Sequence, residues 1–138
     1  MPVSTLYAPA TPVSLSATLR PLRRGAFDPT FRADASGVWR TLLTPIGSAT
    51  LHLARTGGGI EATAWGDGAE WAIEGVPELL GAGDDWSELD VSSSAVLVES
   101  LRRNPGLRLT RTRQVFEMMF QAVLELLMDR TARVVAAE

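Results

Sequence analysis

Apolar and polar positions alternate in several short runs before Gly66 and take up a helical spacing after it. In residues 13–19, Val13, Leu15, Ala17 and Leu19 alternate with Ser14, Ser16 and Thr18, the period of a half-buried strand, which Pro21 ends. Val38 to Leu43 is again β-rich, Pro45 and Gly47 supply a turn, and the following run places Leu51 and Leu53 on one face. Gly57, Gly58 and Gly59 permit positive φ angles, and Ile60, Ala62 and Ala64 share one side of the returning segment. These runs predict a small antiparallel sheet. Residues 1–12 hold Pro2, Pro9 and Pro12 among small polar residues and predict a mobile tail.

Beyond Gly66, Ala69, Ala72, Ile73, Val76, Leu79 and Leu80 recur at helical spacing, with Glu70, Glu74 and Glu78 opposite. Pro77 must kink this helix or start a second turn, and Gly81 closes it. The serines at 92–94 are ready caps for a short helix through Leu97 and Leu101, with Arg102 and Arg103 at its electronegative end. Asn104 and Pro105 stop it. The last helix runs from about Thr112 to the C-terminus. Its Phe116, Met119, Phe120, Val123, Leu124, Leu126, Leu127, Met128, Val134 and Val135 span an arc of roughly 200°, wider than the stripe of an ordinary surface helix. Such a helix calls for neighbours on two sides, the sheet domain on one and a further helical layer or a second copy on the other. The fold class expected is therefore α+β: a tail over 1–12, a sheet-and-helix domain over 13–104, and a linker with a long helix over 105–138.

Composition narrows the chemistry. The 138 residues, 46% of them apolar, suffice for one domain with a genuine core. No run of about 18 apolar residues marks a membrane span, and the N-terminus lacks the basic and apolar regions of a secretory signal. A cytoplasmic protein is expected. Without cysteine, and with His52 as the single histidine, neither a thiolate zinc site nor imidazole metal chemistry is expected, and no cofactor is implied. The net charge of −3 does not suit a protein that coats nucleic acid, but the charge is uneven. Glu61, Asp67, Glu70, Glu74, Glu78, Asp84, Asp85, Glu88 and Asp90 form an acidic stretch without a base, whereas Arg102, Arg103, Arg108, Arg111 and Arg113 crowd together.

The run Arg103-Asn104-Pro105-Gly106-Leu107-Arg108-Leu109, followed by Phe116-Glu117 and Ala122-Val123-Leu124, resembles a stretch of the DNA-3-methyladenine glycosylase II family of helix-hairpin-helix glycosylases. Upstream, Leu19-Arg20-Pro21-Leu22, Asp28-Pro29-Thr30, Thr44-Pro45, Ala64-Trp65-Gly66, Ala69-Glu70-Trp71 and Val76-Pro77 before Leu79-Leu80-Gly81 are similar to it in the same order. The likeness spans residues 14–125 and departs at Leu126, where relatives carry glutamine. It implies an N-terminal α+β domain shaped like half of the TATA-binding protein, joined by the arginine-to-leucine linker to the first helix of a helical domain. It also implies that the base-flipping chemistry needs a helix-hairpin-helix and an aspartate beyond Glu138, so this chain is expected to be non-catalytic by itself. Leu127 falls near the position of the family's duplex wedge.

The candidate phosphate contacts are Arg103, Arg108, Arg111 and Arg113, whose guanidinium forks suit phosphate oxygens; the other reading of them is an ion-paired surface or a bridge to the acidic stretch. Trp39, Trp65, Trp71 and Trp86 are assigned to core and sheet packing rather than to a base pocket. Glu70, Glu74 and Glu78 read as the wet face of their helix. His52, without a serine or cysteine motif, belongs on the face opposite Leu51 and Leu53. Three functions follow as expectations: a repair-enzyme part that buttresses a helical glycosylase domain and meets DNA through it, an interaction module that homodimerises through the helix at 112–135, and a small-ligand domain.

Overall fold

The computed structural model describes residues 1–135, with side chains through Met128. Five strands, β1 (Val3–Tyr7), β2 (Phe31–Asp34), β3 (Gly37–Leu43), β4 (Ser48–Thr56) and β5 (Gly59–Trp65), form one antiparallel sheet in the order β1-β5-β4-β3-β2. The three central strands lie where alternation predicts them. Their inner positions form cross-strand rows, Val38–Leu53–Ala62 and Arg40–Leu51–Ala64, so the apolar side chains of β3, β4 and β5 meet on one face.

Helices cover that face. Of these, α1 (Leu15–Leu19) continues into a 3-10 turn at Arg20–Leu22, and α2 (Ala69–Glu74) and α3 (Val76–Leu79) follow β5; α4 (Ala95–Arg103), which buries no residue, and α5 (Val115–Val135) complete the chain. Ala62 and Ala64 in the sheet and Ala69 and Ala72 in α2 are all buried, and side chains this small let the helix approach the strands closely. Leu19, Leu22, Val76, Leu79 and Leu80 fill the remainder of the core. The architecture is α+β.

Two expectations are corrected. Residues 3–7 are not a tail: they add an edge strand to β5, with Val3 opposite Ala64 and Tyr7 opposite Ile60. Residues 15–19 are helical, because the Ser14 hydroxyl caps the segment by accepting from the Ala17 N–H at 3.3 Å, and the buried Val13, Thr18, Leu19 and Leu22 follow a helical turn rather than alternation. The packing assigned to the tryptophans holds in part: none of the four is fully buried, but Trp71 packs against the core. Trp39, Trp65 and His52 stand on the outer face of the sheet, where Trp39 stacks on His52 with centroids 4.1 Å apart and on Trp65 at 5.6 Å. Pro77 acts as a helix start: Gly75 separates α2 from α3, and Pro77 lies in the first turn of α3.

Candidate functional site

The arginine cluster begins at the end of α4. Ser94 caps this helix by accepting from the Leu97 N–H, and Asn104 ends it by donating from Nδ2 to the Ser100 carbonyl at 2.9 Å. Arg102 and Arg103 both reach back to Glu99, with contacts of 2.9 and 2.6 Å. Those hydrogen bonds, Arg102 first and Arg103 second, hold the Glu99 carboxyl below its ordinary range. Both pairs are open to water, where solvent screening and side-chain entropy leave such bridges little to contribute.

The linker that follows lies against α1. The Ser14 N–H donates to the Gly106 carbonyl at 2.7 Å, and the fully buried Thr18 accepts from the Arg108 N–H at 3.2 Å. A Cβ on Gly106 would stand 2.7 Å from the Ser14 nitrogen, so glycine is what permits this approach. Gly81 has φ +74°, and a Cβ there would meet the Arg108 Cβ at 2.5 Å. Arg108 donates to Thr11 Oγ1 at 2.7 Å and to the Pro12 carbonyl at 3.0 Å, which ties the linker to the N-terminal segment.

Farther on, the chain crosses the acidic stretch. The nearly buried Asp84 carboxylate accepts from the Leu109 N–H at 2.6 Å and lies 3.8 Å from Arg111, which also donates to the Ala82 carbonyl. Arg113 reaches Glu78 at 2.5 Å and covers the Trp71 ring; that hydrogen bond lowers the Glu78 pKa and raises that of Arg113. The Arg113 backbone is left-handed, with φ 59°, a conformation that costs a non-glycine residue about 1 kcal/mol. The bridge to the acidic stretch is thus formed by Arg111 and Arg113, while Arg103 stays on its own helix and Arg108 serves the N-terminal segment. The four candidate arginines line one continuous segment but do not converge on a common point.

Helix α5 docks through its polar side. Gln114 donates to the Leu43 carbonyl, and Met118, Gln121 and Glu125, successive on one face, all meet Arg24: Nε to Gln121 Oε1 at 3.4 Å, Nη1 to Glu125 at 3.3 Å, Nη2 to Met118 Sδ at 3.8 Å. The broad apolar arc is turned the other way. Phe116, Met119, Phe120, Val123, Leu124, Leu126, Leu127 and Met128 are all exposed, and the Phe116 and Phe120 rings stack 6.3 Å apart. Val134 and Val135, placed on the same arc from the sequence, have side chains outside the described residues. Helix α5 is therefore held, chiefly through Arg24, on the side opposite its apolar stripe.

Sequence reasoning passed over Arg24 and Arg40. Arg40 interrupts the core-facing series Val38, Arg40, Leu42 on β3, and a charge at an inward position of an alternating strand was the signal available. Among the described residues no helix is long and apolar enough to cross a membrane. No family model matches the chain, and neither the curated proteins nor the solved structures give a significant match to it.

Proposed function

We propose that this chain is the non-catalytic N-terminal part of a cytoplasmic repair protein of the DNA-3-methyladenine glycosylase II kind, an α+β domain that braces a helical domain acting on alkylated DNA. The observation that carries the reading is the ordered series of short family-like matches ending in Arg103 to Leu109. Two structural features support it. That segment is hydrogen-bonded to α1 and the residues before it through Gly106, Thr18 and Arg108, as suits a linker that must set one domain at a fixed angle to another. It then leads into a helix whose apolar stripe faces outward, the surface a helical layer would cover. The arginines contribute chiefly by fixing this linker, and any phosphate contact comes through donors left over from their internal bonds.

Purified chain incubated with methylated duplex should release no 3-methyladenine above the buffer level. Disruption of the gene in its host should increase killing by a methylating agent and lower 3-methyladenine release by cell extract. Unchanged survival together with unchanged release would overturn the repair assignment.

The exposed stripe also favours a second reading, a module in which two copies pair through α5 about a twofold axis. Light scattering at high protein concentration separates the two: a dimer that dissociates when Phe120 is replaced by Glu supports the module, and a monomer with an intact α5 rejects it.

A further inference from the structure

The inner face of a sheet is apolar where helices cover it, and register places an arginine there in the middle of β3. Arg40 lies in the row Phe31–Arg40–Leu51–Ala64, flanked along β3 by the buried Val38 and Leu42. It lines a cavity of about 270 Å³ between β3 and α5, whose walls also carry Arg24, Glu117 and Gln121. Burial pulls the Arg40 pKa below the usual arginine value; the Glu117 charge and, less, that of Asp28 offset this in part, and Arg24 adds to the depression. The guanidinium nevertheless stays charged at any ordinary pH. Among the described residues, no carboxylate comes within 4.0 Å of it and no acceptor takes a hydrogen bond from it. Arg24, by contrast, is engaged by Gln121 and Glu125.

We propose that Arg40 and Arg24 hold a phosphate group in this cavity. A desolvated cation lacking a contact partner is costly to bury, and a bound anion would remove that cost. Arg40 offers its whole fork of donors, the geometry that matches phosphate oxygens. Gln121 accepts from Arg24 through Oε1, which turns its amide nitrogen into a further donor for an oxyanion. Arg40 and Arg24 are balanced by Glu117 in the wall, Glu125 on Arg24 and the nearby Asp28, so the site carries no net positive charge and would hold an anion by directed donors alone, which suits a monoanion, either dihydrogen phosphate or a phosphodiester, over a dianion. The volume lies just under the roughly 300–1,000 Å³ typical of pockets for drug-sized ligands, which fits a small anion or a single backbone phosphate. This site is independent of the glycosylase reading, since it uses none of the linker arginines.

The test uses the full chain with inorganic phosphate as probe and sodium chloride of equal ionic strength as control, at a mildly acidic pH that favours the monoanion. Arginine Nε–H resonances and the thermal midpoint are followed together. Phosphate should shift the Arg40 signal saturably and raise the midpoint, and Arg40→Gln should lose both effects while Arg32→Gln, on the outer face, keeps them. If Arg40→Gln does not fold, Arg40→Met, which preserves the packing of the stem, takes its place. A second arm titrates a short DNA duplex: an Arg40-dependent shift with duplex but not with free phosphate assigns the phosphate to a nucleic-acid backbone, and the converse assigns it to a small anion. Absence of an Arg40-dependent response in both arms, or a phosphate-driven rise in midpoint that survives in the Arg40 variant, overturns the proposal.

Discussion

At the scale of single residues, a backbone approach explains why the linker motif contains glycine. Gly106→Ala would place a methyl 2.7 Å from the Ser14 nitrogen, and because the obstacle is backbone, relief requires moving α1 or the linker. We expect a loss of about 1–3 kcal/mol, read as a lower urea midpoint; an unchanged midpoint would show that the linker is not rigidly seated. Asp28 makes a prediction in pH. Burial pushes its carboxyl up, but hydrogen bonds from the Thr30 hydroxyl and the Arg24 and Thr30 amides outweigh burial, so the folded value lies below the ordinary 3.8. A depressed carboxyl contributes stability that is fully present above the unfolded value and is lost as pH falls through the folded one. Asp28→Asn should therefore flatten the decline in stability below about pH 4, measured as urea midpoints over a series of acidic buffers. The motif around Gly106 was legible in the sequence; its cause was not, because Ser14 and Thr18 are brought to it only by the fold. For the same reason the arginines could be picked out as a cluster, but their partners Asp84 and Glu78 could not be assigned among so many nearby acids.

At the scale of elements, alternation located β3, β4 and β5 because these strands have one wet and one dry face, so the period of two is written in their residue types. It failed at both ends of the sheet. In β1, Val3, Thr5 and Tyr7 are only half-buried, so an edge strand with little to bury read as a tail. In α1, one short helical turn after a serine cap matched an alternating pattern by coincidence, as five residues can. The position of Arg40 under α5 gives a prediction at this scale. Replacing a poorly compensated inward cation with an apolar side chain of similar length removes a desolvation cost, so Arg40→Met should stabilise the chain in chloride buffer by about 1–4 kcal/mol, read by chemical denaturation. Lower stability in that variant would mean that the guanidinium gains more from Glu117 than burial costs it. Arg24→Ala should act on α5 alone. Its contacts to Gln121 and Glu125 are partly exposed and together are worth about 1 kcal/mol, enough to speed amide exchange along α5 while the sheet keeps its protection.

At the scale of the whole molecule, the decisive asymmetry is that α5 is held by polar groups and offers its apolar stripe outward. The sequence predicts a wide stripe with the sheet on one flank of it; instead, among the described residues of the helix, Met118 alone of the apolar side chains packs against the core. Satisfying Arg24 and the Leu43 carbonyl explains the orientation, since turning α5 inward would remove Gln114, Gln121 and Glu125 from the groups they serve. If the stripe contributes nothing to the fold of the isolated chain, charges placed on it should leave that fold intact. Met119→Glu with Val123→Glu should then change unfolding free energy by less than about 0.5 kcal/mol, the range of surface substitutions, while lowering the binding of a hydrophobic dye and raising solubility. The same pair should abolish association with a helical partner domain or with a second copy, whichever covers the stripe. Destabilisation well beyond that range would mean that the stripe is already in use within the chain, and would remove the physical support for a missing neighbour.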